Sequence, residues 1–127
     1  MYDHRDIAQG ARMKLEGLTI LAVEDEPVIS LVLEDLLESC GALALVAETI
    51  DQAEALLDSM AIDAAILDVN LQGRDSYPLA ALLAARGVPF IFATGYGDAL
   101  HPDAFAGVPT TAKPYNLVDL RAAFAKL

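Results

Sequence analysis

Carboxylates that directly follow apolar runs are the residues of this sequence whose types and spacing could do chemistry. Glu24 and Asp25 follow the run 18–23, and Asp68 follows the run 62–67. If these runs form neighbouring parallel strands, the three carboxylates crowd at one edge of a sheet, where like charges resist ionising together. A cation would relieve that repulsion, and oxygen ligands completed by water suit Mg²⁺. The sequence therefore predicts a magnesium site at this edge.

A hydroxyl and an ammonium group follow two later apolar runs, as Thr94 and Lys113. A divalent cation and a lysine together stabilise charge on the oxygens of a transferring phosphoryl group. A carboxylate can accept that group as an aspartyl phosphate. Asp68 is the best candidate for the nucleophile because it lies centrally, whereas the other two carboxylates share one turn.

The elements that must position these groups alternate between apolar runs and helix-like segments. Predicted strands cover 18–23, 42–47, 62–67, 88–93 and 108–112, and predicted helices cover 27–40, 51–60, 76–86 and the residues after Asn116. The runs are too continuously apolar to face water, which indicates a parallel sheet covered by helices on both faces. We predict a flavodoxin-like, doubly wound α/β fold with five strands in the order 2-1-3-4-5. Ligands of such sheets bind where the first and third strands end, which is where the carboxylates lie.

Composition limits the classes of partner. The 127 residues are 55% hydrophobic, which predicts one folded domain rather than a disordered chain. With 8 Lys and Arg against 19 Asp and Glu, the net charge of −11 argues against direct binding of nucleic acid or an anionic membrane. A single cysteine, Cys40, favours a cytoplasmic location. Residues 1–16 are polar and predict an N-terminal tail, followed by the domain at 17–127.

Four segments, in order, resemble those of bacterial response-regulator receiver domains, over residues 17–127. They read LAVEDEP at 21–27, ILDVNL at 66–71, FATGYG at 92–97 and KPY at 113–115. The resemblance implies two-component signalling, in which the domain takes a phosphoryl group from a histidine kinase or a phosphotransfer protein. Such a domain signals through contacts with an output protein, here unidentified, as a shuttle, sink or adaptor. It is not otherwise an enzyme, because it catalyses only its own phosphorylation and dephosphorylation.

The resemblance also implies a role for each site residue. Asp68 would be the phosphoacceptor. Thr94 and Lys113 would hold the phosphoryl oxygens, and the Lys113–Pro114 bond is expected to be cis. The implied Mg²⁺ ligands are Asp25 and Asp68 directly, Asn70 through its backbone carbonyl, and Glu24 through water.

Two departures from the usual receiver pattern place the chain in a subgroup. Most receivers carry an aromatic switch residue three positions before the lysine, where this chain has Thr110. Most also have a proline in the loop after the phosphoacceptor, where this chain reads Leu71-Gln72-Gly73. With the segment 92–97, these features resemble the FAT GUY receivers, which are often single-domain proteins of alphaproteobacteria partnered with HWE or HisKA2 histidine kinases. Tyr96 and Tyr115 are candidates for the missing switch aromatic.

The sequence also allows alternatives to a stand-alone, phosphorylated receiver. The chain could be a receiver module cut from a hybrid kinase, or a pseudo-receiver that binds partners without being phosphorylated. An unrelated α/β enzyme or nucleotide-binding protein is disfavoured, because the glycine-rich phosphate-binding motifs are absent. A dehalogenase-type phosphatase would need a second aspartate at the position of Asn70.

Three further regions carry weaker signals. Glu26 is interpreted as a helix cap or a solvated side chain, and His101 receives no role. The segment 95–107 contains Gly95, Gly97 and Pro102, which disfavour a stable helix. We predict that this segment becomes ordered when Asp68 is phosphorylated.

Overall fold

The computed structural model describes residues 14–71, 73–95 and 101–127. The strands within these residues are β1 (Thr19–Val23), β2 (Leu43–Ala47), β3 (Ala64–Asp68), β4 (Asn70–Leu71), β5 (Arg74–Asp75), β6 (Phe90–Thr94) and β7 (Thr110–Ala112). The helices are α1 (Pro27–Ser39), α2 (Ile50–Ser59), α3 (Tyr77–Ala85) and α4 (Leu117–Ala125), and a 3₁₀ turn covers Asp103–Phe105. The five strands and four helices that the hydrophobic pattern predicts are all present, and β4 and β5 are additional.

Five strands form one parallel sheet in the order β2-β1-β3-β6-β7, which confirms the predicted α/β fold. The register pairs Val23 with Leu67 across β1 and β3, and Asp68 with Ala93 across β3 and β6. Because the strands are parallel and in this register, their carboxyl ends meet at one edge of the sheet.

Helices cover both faces of the sheet, and successive strand residues alternate between the two faces. On one face, Leu33 and Phe124 of α1 and α4 belong to the same cluster of buried residues as Ile20. On the other face, Leu83 of α3 clusters with Leu21 and the adjoining strands. Each central strand is thus buried on both sides, as its unbroken apolar sequence predicts.

Capping side chains and a glycine set the ends of several helices. Thr49 caps α2 by accepting a hydrogen bond from the Gln52 amide (3.1 Å), and Asn116 caps α4 by accepting one from the Asp119 amide (2.9 Å). Gly41, which follows α1, has a φ of +80°, a conformation that side chains with a Cβ rarely adopt. The helices therefore end and begin at residues that satisfy their terminal backbone groups.

Some strand boundaries differ from the predicted ones by one or two residues, and a short hairpin was not predicted. Strand β3 extends to Asp68 itself, and β6 begins after Pro89, which has no N–H to give to a neighbouring strand. The residues after β3 form a short antiparallel hairpin of β4 and β5, in which Gly73 has a φ of +82°. The Asn70 side chain stabilises this hairpin by accepting a hydrogen bond from the Gly73 amide (3.0 Å).

The N-terminal part of the predicted tail, residues 1–13, lies outside the described residues, so the tail at 1–16 stays a prediction. Leu15 is buried in the core, and the Gly17 amide donates to the Gly41 carbonyl (2.9 Å). Within the described ranges, every helix is too short or too polar to span a bilayer.

Candidate functional site

Three predicted metal-ligating carboxylates converge at the carboxyl edge of the sheet. Glu24 and Asp25 follow β1, and Asp68 ends the adjacent strand β3. One oxygen from each carboxylate lies within 4.8 Å of the others. Glu24 and Asp68 are buried and Asp25 is half-buried, so water screens their repulsion poorly. The strand order brings these side chains together from positions more than forty residues apart in the sequence.

Lys113 reaches into this group of carboxylates from the end of β7. Its Nζ lies 2.8 Å from Asp68 Oδ2 and 3.1 Å from Glu24 Oε1. The Lys113 amide donates to the Thr94 carbonyl (2.8 Å), so the neighbouring strand β6 holds the backbone of the lysine in place. The Lys113–Pro114 bond is cis. The structure thus gathers the predicted lysine and carboxylates into one charged site.

The electrostatics of the site follow from burial and from this pairing. Burial raises the pKa of Glu24 to about 8, assisted by the adjacent Asp68 and opposed by Lys113. Burial acts to lower the pKa of Lys113, but hydrogen bonds to Asp68 and Glu24 outweigh it and raise that pKa. The lysine therefore stays charged, and the clustered carboxyl groups outnumber its one ammonium group. Such a site favours the binding of an additional cation.

Two other predicted residues lie at the same edge. The Asn70 amide donates to Asp68 Oδ1 (3.2 Å), which holds the second oxygen of that carboxylate. Thr94 is buried at the end of β6, beside the strand that carries Asp68. The Asp68 carboxylate is thus held at both oxygens, by Lys113 and by a backbone N–H.

Of the two tyrosines proposed as switch aromatics, the structure describes Tyr115. Tyr96 lies outside the described residues. Tyr115 is buried in the core, and its hydroxyl has no hydrogen-bond partner among the described residues. Burial, followed by the charges of Glu24 and Asp68, raises the pKa of that hydroxyl. Tyr115 therefore packs under the charged site.

Sequence reasoning missed Glu26. Its side chain makes no capping hydrogen bond to α1 and is exposed, so of the two interpretations the structure supports the solvated side chain and not the cap. The carboxylate instead lies with Oε1 3.2 Å from Lys113 Nζ, although the side chain is 57% exposed. Nothing local in the sequence signals this contact, because it depends on the distance between the β1 and β7 ends of the folded sheet.

His101 was also missed, and it lies beside the position where most receivers carry an aromatic residue. Its Nε2 is 2.9 Å from the Thr110 hydroxyl, and its Nδ1 is 2.9 Å from the Tyr77 hydroxyl. The imidazole centroid is 4.5 Å from that of Phe92 on β6. Burial lowers the pKa of His101, which favours the neutral ring that can accept one of these hydrogen bonds. A ring therefore does stand beside Thr110, although strand β7 does not supply it.

Between β6 and β7, the described residues contain the 3₁₀ turn Asp103–Phe105 and no α-helix. Phe105 stacks on Tyr77 of α3 with ring centroids 5.6 Å apart. Residues 96–100 lie outside the described residues, so the ordering of the segment 95–107 upon phosphorylation stays a prediction.

Comparison with known proteins gives consistent matches. Residues 20–124 match the family model of the response regulator receiver domain. The solution structure of SdrG from Sphingomonas melonis Fr1 is 41% identical, covers 90% of this chain and 98% of its own, and has a TM-score of 0.78. The BeF₃-activated conformation of SdrG from Pseudomonas melonis Fr1 is 43% identical over 85% of this chain and 93% of its own, with a TM-score of 0.75.

A curated relative places the matching region within a longer protein. The transcriptional regulatory protein TcrA of Mycobacterium tuberculosis is 33% identical over 121 residues, which are 90% of this chain. The match covers 46% of TcrA, so the chain spans about half the length of this relative.

Proposed function

The chain belongs to the response-regulator receiver family, and from that premise we propose that Asp68 accepts a phosphoryl group from a histidine kinase or a phosphotransfer protein. The observation that carries this proposal is the position of Asp68 between a lysine ammonium 2.8 Å away and two carboxylates within 4.8 Å. A nucleophile, a fixed positive charge and a set of oxygen ligands are the parts that phosphoryl transfer to a carboxylate requires.

The residues present fit Mg²⁺, because the three clustered carboxylates supply hard oxygen donors at one edge of the sheet. Asp25 and Asp68 would ligate the ion directly, Asn70 through its backbone carbonyl, and Glu24 through water. When bound, the ion would supply positive charge that neutralises the phosphoryl oxygens.

The chain's own residues would then act as follows. An Asp68 oxygen attacks the phosphorus, the bond from phosphorus to the donor nitrogen breaks, and its electron pair stays on the donor histidine. The Asn70 amide and Lys113 orient the Asp68 carboxylate, as their hydrogen bonds to its two oxygens indicate. Lys113 and the Thr94 hydroxyl would stabilise the oxygens of the transferred group.

We also propose a receiver subgroup and a type of kinase partner for this chain. The segment 92–97, Thr110 and the loop without proline support a FAT GUY receiver paired with a kinase of the HWE or HisKA2 type. Similarity to SdrG over nearly all of that chain supports a stand-alone shuttle, sink or adaptor. The partial coverage of TcrA keeps open a receiver within a longer protein, such as a hybrid kinase. We also propose a cytoplasmic location, based on the single cysteine.

Beryllofluoride separates a receiver from a pseudo-receiver, because it mimics a phosphoryl group on an aspartate. With Mg²⁺ present, we expect it to shift amide resonances around Asp68, Thr94 and Lys113, as the activated form of SdrG suggests. Mg²⁺ alone and the Asp68→Asn variant serve as controls. Spectra that do not respond to beryllofluoride would favour the pseudo-receiver. Phosphotransfer from a panel of purified kinases would then identify the cognate type.

A further inference from the structure

Glu26 is a third carboxylate on Lys113, and neither the metal ligands nor the phosphoacceptor account for it. It lies at the start of α1, where its backbone is extended and its side chain leaves the helix uncapped. The side chain instead extends to Lys113 Nζ, at 3.2 Å. Glu26 therefore occupies one of the hydrogen-bond donors of Lys113 instead of capping α1.

The contacts of Lys113 use all of its hydrogen-bonding capacity. An ammonium group has three N–H donors and accepts no hydrogen bonds. Its three carboxylate partners are Asp68 at 2.8 Å, Glu24 at 3.1 Å and Glu26 at 3.2 Å. A phosphoryl oxygen that arrives at Asp68 therefore has to compete with a carboxylate for a donor of Lys113.

Exposure decides which carboxylate can be displaced most easily. The side chains of Glu24 and Asp68 are 0% and 5% exposed, so neither can exchange its hydrogen bond with Lys113 for one with water, and losing that bond is unfavourable. The Glu26 side chain is 57% exposed, so water replaces its contact with the lysine at little cost. Of the three partners, Glu26 is the one that can release the ammonium group.

We propose that Glu26 is a positioning residue that holds Lys113 in the unphosphorylated chain and competes with the phosphoryl group for it. This inference rests on the proposed function and adds a residue that sets how readily the site accepts the phosphoryl group. The negative charge of Glu26 also opposes acceptance of the phosphoryl group, because a carboxylate beside Lys113 repels the negatively charged phosphoryl oxygens.

The test compares Glu26→Gln with Glu38→Gln at saturating Mg²⁺. Glu38 is exposed on the same helix, so its substitution changes the net charge equally. We expect Glu26→Gln to bind beryllofluoride about two- to fivefold more tightly than the control, the fold-change that corresponds to one exposed ion pair. Its phosphorylation by acetyl phosphate, followed by intact mass, should accelerate by a similar factor. Damage to the fold would weaken binding, so a gain is not a structural side effect.

A second variant, Glu26→Ala, removes the oxygen that a glutamine could still offer to Lys113, and we expect at least the same gain. Variants that bind beryllofluoride as the Glu38→Gln control does, or more weakly, would overturn the inference while leaving the receiver function intact. If the wild-type chain itself fails to bind beryllofluoride and to accept a phosphoryl group, the proposed function falls, and the inference falls with it.

Discussion

Two clusters of side chains in this structure are held together by different forces. The charged cluster consists of Lys113 with Glu24, Glu26 and Asp68. The ring cluster consists of Tyr77, Phe92, His101 and Phe105. Electrostatic interactions hold the charged cluster together, so a bound cation or phosphoryl group would change its contacts directly. Neutral hydrogen bonds and ring contacts hold the second, so charge added at the site changes it only indirectly.

Because of this difference, we expect substitutions in the two clusters to have different effects. The charged cluster holds three carboxyl groups against one ammonium group, an imbalance that the proposed binding of a cation would relieve. The ring cluster links α3, β6 and the segment 101–107 through His101, which bonds to Tyr77 and Thr110. Substitutions should therefore change ligand binding at the first cluster and local stability at the second.

The largest effect is expected from Lys113→Met without added Mg²⁺. This substitution leaves the buried Asp68 carboxylate without its cation and Glu24 without a hydrogen-bond donor, so we expect the free energy of unfolding to fall by about 3 kcal/mol. Urea unfolding followed by circular dichroism measures the loss, and Mg²⁺ should reduce it. Lys126→Met, at the exposed end of α4, is the matched control. Equal stability of the two variants would show that the charged cluster does not depend on its lysine.

Removing one metal-ligating charge should affect binding more than folding. We expect Asp25→Asn to weaken Mg²⁺ binding by at least tenfold, because losing even a residue that only orients a metal ligand costs roughly ten- to a hundredfold. Without Mg²⁺ its stability should equal or exceed that of the wild type, because a like charge is gone. Calorimetric titration checks the affinity, with the exposed Asp35→Asn as control. Phosphorylation of Asp25→Asn at the wild-type rate would contradict the metal assignment.

A smaller loss is expected in the ring cluster. His101→Ala removes two hydrogen bonds and two ring contacts, and each hydrogen bond contributes about 1 kcal/mol to stability. His101→Phe keeps a ring and should recover part of the loss in urea unfolding. Both variants should bind Mg²⁺ within about twofold of the wild type, since His101 is not among the charged groups that bind the ion. A fall in Mg²⁺ affinity like that of Asp25→Asn would show that the clusters are not separable.

The smallest effect is a pH dependence of the ring cluster. Burial lowers the pKa of His101, so the unfolded chain takes up the proton first as the pH falls. The stability that His101 confers is thus complete above its ordinary pKa of about 6.5 and decreases below it. Between pH 7.5 and 5.5, the wild type should lose roughly a few tenths of a kcal/mol more than His101→Phe, because water screens the half-buried ring. A difference in the opposite direction would contradict the neutral-ring assignment.

The charged cluster was largely predictable from the sequence, and the ring cluster was not. Asp68, Thr94 and Lys113 lie at or just after the ends of apolar strands, and a parallel sheet brings strand ends to one edge. The same alternation of strands and helices predicted the sheet order. Element ends moved by one or two residues, because backbone pairing rather than hydrophobicity decides them.

The missed features depend on distances that exist only in the folded chain. Glu26 contacts Lys113 because the sheet brings the residues that follow β1 and β7 to one edge, which no local pattern reveals. His101 contacts Tyr77 across 24 positions, through packing of a segment that has little regular structure. The β4–β5 hairpin depends on backbone pairing next to Gly73, and its two-residue strands are too short for a hydrophobic period.

The central claim is that Asp68 forms an acyl phosphate, and borohydride trapping tests it most directly. The chain is incubated with acetyl phosphate and Mg²⁺, the acyl phosphate is reduced, and the modified residue is mapped by mass spectrometry. We predict a single modified residue, Asp68, labelling that is sensitive to hydroxylamine, and no labelling of Asp68→Asn. Labelling of Asp68→Asn at the wild-type level, or modification mapped to another carboxylate, would contradict the account.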